Sequence, residues 1–301
     1  MKIGLIGLGK MGQAIAHRLI KDNHEVIAYD PKITTLEPLR QSSGGTVSLE
    51  KSAIDVAKQV NIIWLMVPAG KIVDDVISQL LPETETDSII IDGGNSHFPD
   101  SVRRYQELKK HNLNFLDCGT SGGLAGKDIG FSLMIGGDEN IYQKAEPIFK
   151  SIAAPNGYDY MGPAGSGHYV KMIHNGIEYS LLQAYAEGFD LLKNNNRYKN
   201  LDLEKITNVW INGSVIRSWI LQLANNIFSK NQNLEKISGN IGENLTGKWT
   251  FDETKEQNIK MDLLQKSLEI REWSRQSGGN YATKVIAMLR HEFGGHKVKK
   301  L

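Results

Sequence analysis

Lys2-Ile3-Gly4-Leu5-Ile6-Gly7-Leu8-Gly9-Lys10-Met11-Gly12 opens the chain, and its reading decides the fold of the first half. Residues 2–7 form a short apolar run that reads as a buried strand, and residues 11–21 carry a helical apolar pattern through Ile15, Leu19 and Ile20. The glycines fall where strand passes into helix. Gly7 permits a tight turn, Gly9 lets the backbone approach a pyrophosphate, and Gly12 lets the helix pack closely; the helix N-terminus adds amide donors and a partial positive charge. Such a triplet alone suits a structural loop equally well. Its place between strand and helix, with an acid ending the second strand at Asp30, makes it a dinucleotide site. Asp30 can accept both ribose hydroxyls of NAD and would repel the 2′-phosphate of NADP. It also reads as a turn acid ahead of Pro31, and Lys32 could pair with a phosphate. NAD is expected, with NADP left open.

Outward from that stretch, further short strand-like runs lie at residues 24–30, 61–67, 88–92 and 114–118, with helical patterns at 52–59 and 72–80 between them. The alternation predicts an α/β Rossmann-type domain, a parallel sheet covered on both faces. After Gly162-Pro163 the alternation ends. One long helix is expected over residues 165–194, and others over 203–212, 214–230, 256–277 and 282–292. The expected organisation is a dinucleotide-binding domain at 1–163 and an all-α substrate and oligomerisation domain at 164–301, with polar joints at 194–196 and 230–233 and no internal repeat.

Composition narrows the function classes. The 301 residues suffice for two cores, and 40% hydrophobic with 23% charged content is ordinary for a globular protein. A net charge of +1 leaves no footprint for nucleic acid. The lone cysteine, Cys118, excludes an internal disulfide framework and a cysteine-based metal cluster, and suits a reducing compartment. No apolar run reaches membrane-spanning length, and the chain opens on a strand pattern rather than a basic leader. The expectation is a cytoplasmic protein with no nucleic-acid or membrane partner.

On the long helix, Lys171, His174, Asn175 and Glu178 fall at i, i+3, i+4 and i+7, which places all four on one face. A solvated face would hold such residues too. Three features favour a site: Gly165-Ser166-Gly167 just ahead allows close backbone approach, Ile173, Ile177 and Leu181 supply an adjoining face for packing, and a cofactor domain precedes the helix. A lysine and a glutamate spaced along one substrate suit proton transfer at two different carbons.

The stretch from Gly167 through Lys171, His174, Asn175 and Glu178 to Tyr179 (GHYVKMIHNGIEY) closely resembles the signature helix of 6-phosphogluconate dehydrogenases. Ile91-Asp92-Gly93-Gly94-Asn95-Ser96, Ser121-Gly122-Gly123, Ser132-Leu133-Met134, Thr246-Gly247-Lys248-Trp249-Thr250 and the tail from Arg290 to His296 (RHEFGGH) are similar to further segments of that family, in the same order. The chain is shorter than the commoner form and looks like the short form, which tends to use NAD.

The resemblance implies metal-free oxidative decarboxylation of 6-phospho-D-gluconate to D-ribulose 5-phosphate. Carried over, Lys171 is the base for the C3 hydroxyl and Glu178 the acid that protonates C1 of the enediol. The cofactor set is Gly7, Gly9, Lys10, Met11, Gly12, Asp30, Val67, Pro68 and Asn95. Asn95, Ser121, Gly122, Gly123, His174, Asn175 and Thr246 match substrate positions, while Tyr179, Arg290 and His296 match the phosphate end. In the family the tail arginine and histidine come from the neighbouring subunit, so a homo-oligomer, dimer or tetramer, is expected with Arg290 and His296 pointing outward from the terminal helix. A family lysine appears here as Asn244, which removes one charge from the phosphate end. The nearest rival is a 3-hydroxyacid dehydrogenase that performs no decarboxylation; a cofactor-binding regulator without turnover is the rival from another class.

Overall fold

In the computed structural model, which describes residues 1–32, 45–243 and 245–301, strand β1 (Lys2–Ile6) is buried at every position after Lys2. Gly7 turns the chain with φ of +98° into helix α1 (Lys10–Lys21), whose buried residues Gly12, Ala14, Ile15, Ala16, Leu19 and Ile20 mark one face. The chain continues through β2 (Glu25–Tyr29), β3 (Val47–Leu49), α2 (Ala53–Ala57), β4 (Ile62–Leu65), α3 (Lys71–Leu80), β5 (Ile89–Asp92), α4 (Phe98–Lys110), β6 (Asn114–Ser121), α5 (Gly126–Ile129), β7 (Phe131–Gly137), α6 (Glu139–Ile152) and β8 (Ala153–Gly162). All eight strands form one sheet in the order β3-β2-β1-β4-β5-β6-β7-β8. Neighbouring strand residues divide between two cores: Leu5, Trp64 and Ile91 enter one, and Ile6, Leu65 and Ile90 the other. That split is the two-residue period of a strand with both faces covered, each buried Leu, Ile or Phe being worth about 1.5–3 kcal/mol.

The sheet is larger than the sequence reading and is not wholly parallel. β3, β7 and β8 were not among the expected strands, and β7 runs antiparallel to β6 while pairing parallel with β8. The reasons are physical. β3 has three half-buried residues, and β8 is an edge strand containing Pro155 and Asn156, the latter at φ of +59°, so neither carries an apolar signal.

Helices follow. These are α7 (Ser166–Lys193), α8 (Leu203–Ile211), α9 (Trp219–Lys230), α10 (Leu245–Glu256), α11 (Asp262–Ser277) and α12 (Tyr281–Gly294). The helix expected from 214 begins only at Trp219, because the Ser218 hydroxyl caps it by accepting the Leu221 N–H at 3.0 Å. The one expected from 256 begins at Asp262, after Asn258 adopts φ of +52°, and α10 was not foreseen. The packing face of α7 also differs from expectation. Ile177 and Leu181 are 51% and 45% exposed, and the helix instead buries Leu182, Ala186 and Phe189 in a core with Leu203, Phe228 and Ile286. The chain separates into two compact units, Met1–Met172 and Ile173–Leu301.

Candidate active site

The first unit places its candidate cofactor residues at the carboxyl ends of parallel strands. The Gly7 N–H donates to Tyr29 O at 2.9 Å, which brings the glycine loop beside the end of β2. A β-carbon at Gly9 would meet nothing within 4 Å, whereas one at Gly12 would strike the Gly7 carbonyl. Gly9 caps α1 without any side-chain hydrogen bond, and the first turn holds no acid to compete for a ligand's place. An anion fits that cradle. Asp30 Oδ2 accepts the Leu8 N–H and Oδ1 accepts the Lys32 N–H, both at 2.8 Å. The carboxylate therefore braces the loop and keeps further lone pairs for ribose hydroxyls. Lys10 is exposed and Met11 half-buried on the first turn of α1. Val67 and Pro68 follow β4, and exposed Asn95 follows β5. The order β2-β1-β4 puts the strand-order reversal beside the loop, where dinucleotides bind in open α/β sheets.

Ser121 ends β6, with Gly122 and Gly123 following at φ of +121° and +55°. Lys171, in the second turn of α7, is 8% exposed and packs on Gly119, where any side chain would collide with the lysine's β-carbon.

In the second unit, Asn175 is buried and its Oδ1 lies 3.1 Å from His174 Nδ1. Glu178 is half-buried one turn beyond His174. Tyr179 is 4% exposed, and its hydroxyl has no hydrogen-bond partner among the described residues. Over its ring, 3.6 Å from the centroid, lies the guanidinium of Arg271, whose three nitrogens likewise have none. Arg290 is buried beside them, donating through Nη1 to Gly242 O at 2.7 Å. Burial, with the charge of Arg290 nearby, lowers Arg271 to about 10, and burial lowers Arg290 too. Two buried cations with an orphaned phenol make an anion pocket. Thr246, 2% exposed, opens α10.

Two expectations change here. Arg290 does not point outward but lies within its own unit, because α12 turns that face toward the core that holds Val285, Ile286 and Leu289. His296 is exposed, beyond a left-handed Gly295, its carbonyl accepting the His291 Nδ1–H at 2.9 Å. Asn244 lies outside the described residues. Arg271 was missed by the sequence reading, although a signal existed: Leu264, Ser267, Arg271 and Ser274 recur at helical spacing as the buried stripe of α11, and an arginine within such a stripe needs a partner. No group of three or more His, Cys, Asp or Glu poised for a metal occurs among the described residues.

Comparison with known proteins gives two family matches. Residues 2–162 match the NAD-binding domain of 6-phosphogluconate dehydrogenase, and residues 167–299 match the 6-phosphogluconate dehydrogenase C-terminal domain. A Haloferax volcanii protein named 6-phosphogluconate dehydrogenase, NAD(+)-dependent, decarboxylating, is 41% identical over 302 residues, covering 100% of this chain and 99% of its own. Among solved structures, a Plasmodium falciparum 6-phosphogluconate dehydrogenase, determined apo, with NADP+ and with 6-phosphogluconate, aligns with a TM-score of 0.84 at 31% identity. It covers 92% of this chain, which spans 62% of that one. A Mycobacterium tuberculosis 3-hydroxyisobutyrate dehydrogenase shares the fold, with a TM-score of 0.73 at 21% identity over 96% of this chain and 99% of that one.

Proposed function

The chain belongs to the 6-phosphogluconate dehydrogenase family, and from that premise we propose that it oxidises and decarboxylates 6-phospho-D-gluconate to D-ribulose 5-phosphate and carbon dioxide, with NAD as acceptor and NADP as a weaker one. The observation that carries the reading is the pairing of Lys171 and Glu178 seven residues apart on one helix, in a chain that also holds a dinucleotide cradle and a buried arginine–tyrosine anion pocket. The dinucleotide-binding domain ends near residue 163 and the helical substrate and oligomerisation domain follows, with Asn95, Ser121, Gly122 and Gly123 of the first also reaching the substrate.

The cofactor, when bound at Gly7, Gly9, Lys10, Met11, Gly12, Asp30, Val67, Pro68 and Asn95, supplies the acceptor for the C3 hydride. The remaining chemistry belongs to side chains. Lys171 acts as the base that takes the proton of the C3 hydroxyl. The 3-keto acid so formed loses its carboxyl as carbon dioxide, because the new carbonyl accepts the released electron pair, and Lys171 returns its proton to that oxygen. Glu178 then protonates C1 of the enediol while Lys171 takes back the proton of the adjacent hydroxyl, which leaves the ketone of the product. Asn95, Ser121, Gly122, Gly123, His174, Asn175 and Thr246 hold carboxylate and hydroxyls. Tyr179, Arg271 and Arg290 hold the phosphate, Arg271 supplying charge where the family lysine is absent.

We assign the chain to a homo-oligomer of identical subunits. Ile177, Leu181 and Leu191 on α7 and Leu263 and Trp273 on α11 are exposed, and Leu191 and Trp273 line an open groove of about 560 Å³ with Gln183 and Asp190. A second copy is the occupant expected to cover them, and exposed His296 is the tail residue placed to reach a neighbour. No helix among the described residues is long and apolar enough to cross a membrane. We place the enzyme in the cytoplasm, which the single buried thiol of Cys118 supports. The test is direct: NADH formation with 6-phosphogluconate, matched mole for mole by released carbon dioxide. NADH without carbon dioxide would instead mark a plain 3-hydroxyacid dehydrogenase.

A further inference from the structure

The first turn of α7 is not held by its own residues. Gly165, which precedes the helix, has no side chain with which to cap it. The cap comes from a different strand: Asp117, fully buried on β6, accepts the Gly165 N–H through Oδ1 at 2.6 Å and the His168 N–H through Oδ2 at 2.8 Å. These are amides that a helix N-terminus otherwise leaves unsatisfied, and a carboxylate there also meets the positive end of the helix dipole. Lys171 follows His168 by one turn, with its β-carbon on Gly119, two residues along β6 from Asp117.

His168, 1% exposed, reaches the other way. Its Nε2 lies 3.2 Å from Gly94 O, which can only accept, so that nitrogen carries the hydrogen. In the neutral ring Nδ1, 2.7 Å from Ser101 Oγ, then accepts from the hydroxyl. Gly94 precedes Asn95, and its loop is clamped in turn. Asp92, buried, accepts the Gly94 N–H at 3.1 Å, the Ser96 hydroxyl at 2.7 Å and Arg104 Nη1 at 3.2 Å. Arg104 continues to Asp74 at 2.7 Å and to Gly70 O at 3.0 Å. A polar chain, buried from Arg104 onward, thus runs from the start of α3 through α4 and the Asn95 loop to α7 and β6, all within the first unit.

We propose that Asp117 and His168 are positioning residues for the reaction: Asp117 sets the register of the first turn of α7, and His168 locks that turn to the Asn95 loop, so that the lysine base and the Asn95 amide are presented as one rigid piece. The inference rests on the reading of Lys171 as the base. Neither residue touches the reacting atoms. Each acts through backbone it holds, where a displacement of about 1 Å costs on the order of 100-fold in rate.

The experiment compares Asp117→Asn, His168→Leu and His168→Gln with the wild-type enzyme. Glutamine places an amide nitrogen near the place of Nε2, so it can still donate to Gly94. We expect kcat to fall roughly 10- to 100-fold in the first two variants, with a smaller rise in KM for NAD through the loosened Asn95 loop, and glutamine to restore most of the loss. The deuterium isotope effect with 3-deuterated 6-phosphogluconate should rise as hydride transfer becomes slower. A lesion that merely unfolds part of the population would lower the rate and leave that effect alone. Amide exchange gives a readout that needs no turnover: His168→Leu should speed exchange in residues 91–98 as well as 163–172. Faster exchange in 163–172 alone refutes the link to the Asn95 loop, and so does failure of glutamine to restore exchange at wild-type melting temperature. A wild-type enzyme inert toward 6-phosphogluconate, with the coupled exchange pattern intact, would overturn the function and leave the coupling standing.

Discussion

The guanidinium of Arg271 lies over the ring of Tyr179, 3.6 Å from its centroid, with its nitrogens and the Tyr179 hydroxyl all buried and all without a hydrogen-bond partner among the described residues. Stacking on the ring offsets part of the cost of that charge, and the unused donors are what a phosphate would take up.

Arg271→Met should therefore raise KM for 6-phosphogluconate by about 10-fold or more, the equivalent of roughly 1.5–3 kcal/mol for a charge-assisted contact, while leaving KM for NAD alone. Inorganic phosphate should raise the melting temperature of the wild type and not of the variant. The pH dependence has a definite sign. Folding lowers Arg271 to about 10, so its cost to stability is complete below that pH and is relieved as pH rises further. The cation is what binds phosphate, so phosphate stabilisation should fade as pH climbs past about 10. Stabilisation that is flat through this range would detach phosphate from Arg271.

Arg290 shares its pocket with Arg271 inside one unit, which predicts failure of complementation. Mixed subunits carrying Arg271→Met and Arg290→Ala, both defective toward substrate, should recover nothing after subunit exchange, because every pocket then lacks one arginine. Recovered activity would place Arg290 in the neighbour's pocket instead.

Lys171→Met should abolish NADH formation while NAD titrates the protein with nearly wild-type affinity, since the cradle is built from the glycine loop and Asp30. Glu178→Gln should spare oxidation more than the last proton transfer. Solvent deuterium at C1 of the product reports it, and normal stereospecific incorporation in the variant would remove Glu178 from the role.

Asp30→Ser should shift preference from NAD toward NADP, but with a cost the sequence does not disclose. The carboxylate also accepts the Leu8 and Lys32 amides, so affinity for both cofactors should drop, NAD the more. Competitive titration with the two reduced cofactors measures the ratio; an unchanged ratio would leave Asp30 as a loop brace only.

Cys118 should resist iodoacetamide in the native enzyme at neutral pH and react once the chain is unfolded. It is fully buried on β6, and burial pushes its thiol far above the ordinary value, so thiolate is scarce. Stoichiometric labelling of the folded enzyme would contradict this.

Local pattern sufficed for much of this molecule. The run from Lys2 to Gly12, the acid at Asp30 and the polar face from Lys171 to Glu178 are all legible because strand, turn and helix rules act over a few residues. The seven-residue spacing of Lys171 and Glu178 is a property of any helix, whatever surrounds it. What stayed hidden involved partners far apart in the chain. Edge strand β8 has no apolar run to announce it, and Ile177 and Leu181 look like core residues until Leu182 and Phe189 take the buried side.

The sequence by itself determined a dinucleotide-binding sheet, a helical half and a lysine–glutamate pair on one helix. Only the tertiary structure decided that Arg271 stacks on Tyr179, that Arg290 turns inward to Gly242, and that Asp117 caps a helix through the amide of Gly165, forty-eight residues after it. The reason is common to all three. A buried charge is tolerated only where other groups meet it, and those groups are brought together by packing between segments remote in sequence, which no local periodicity records.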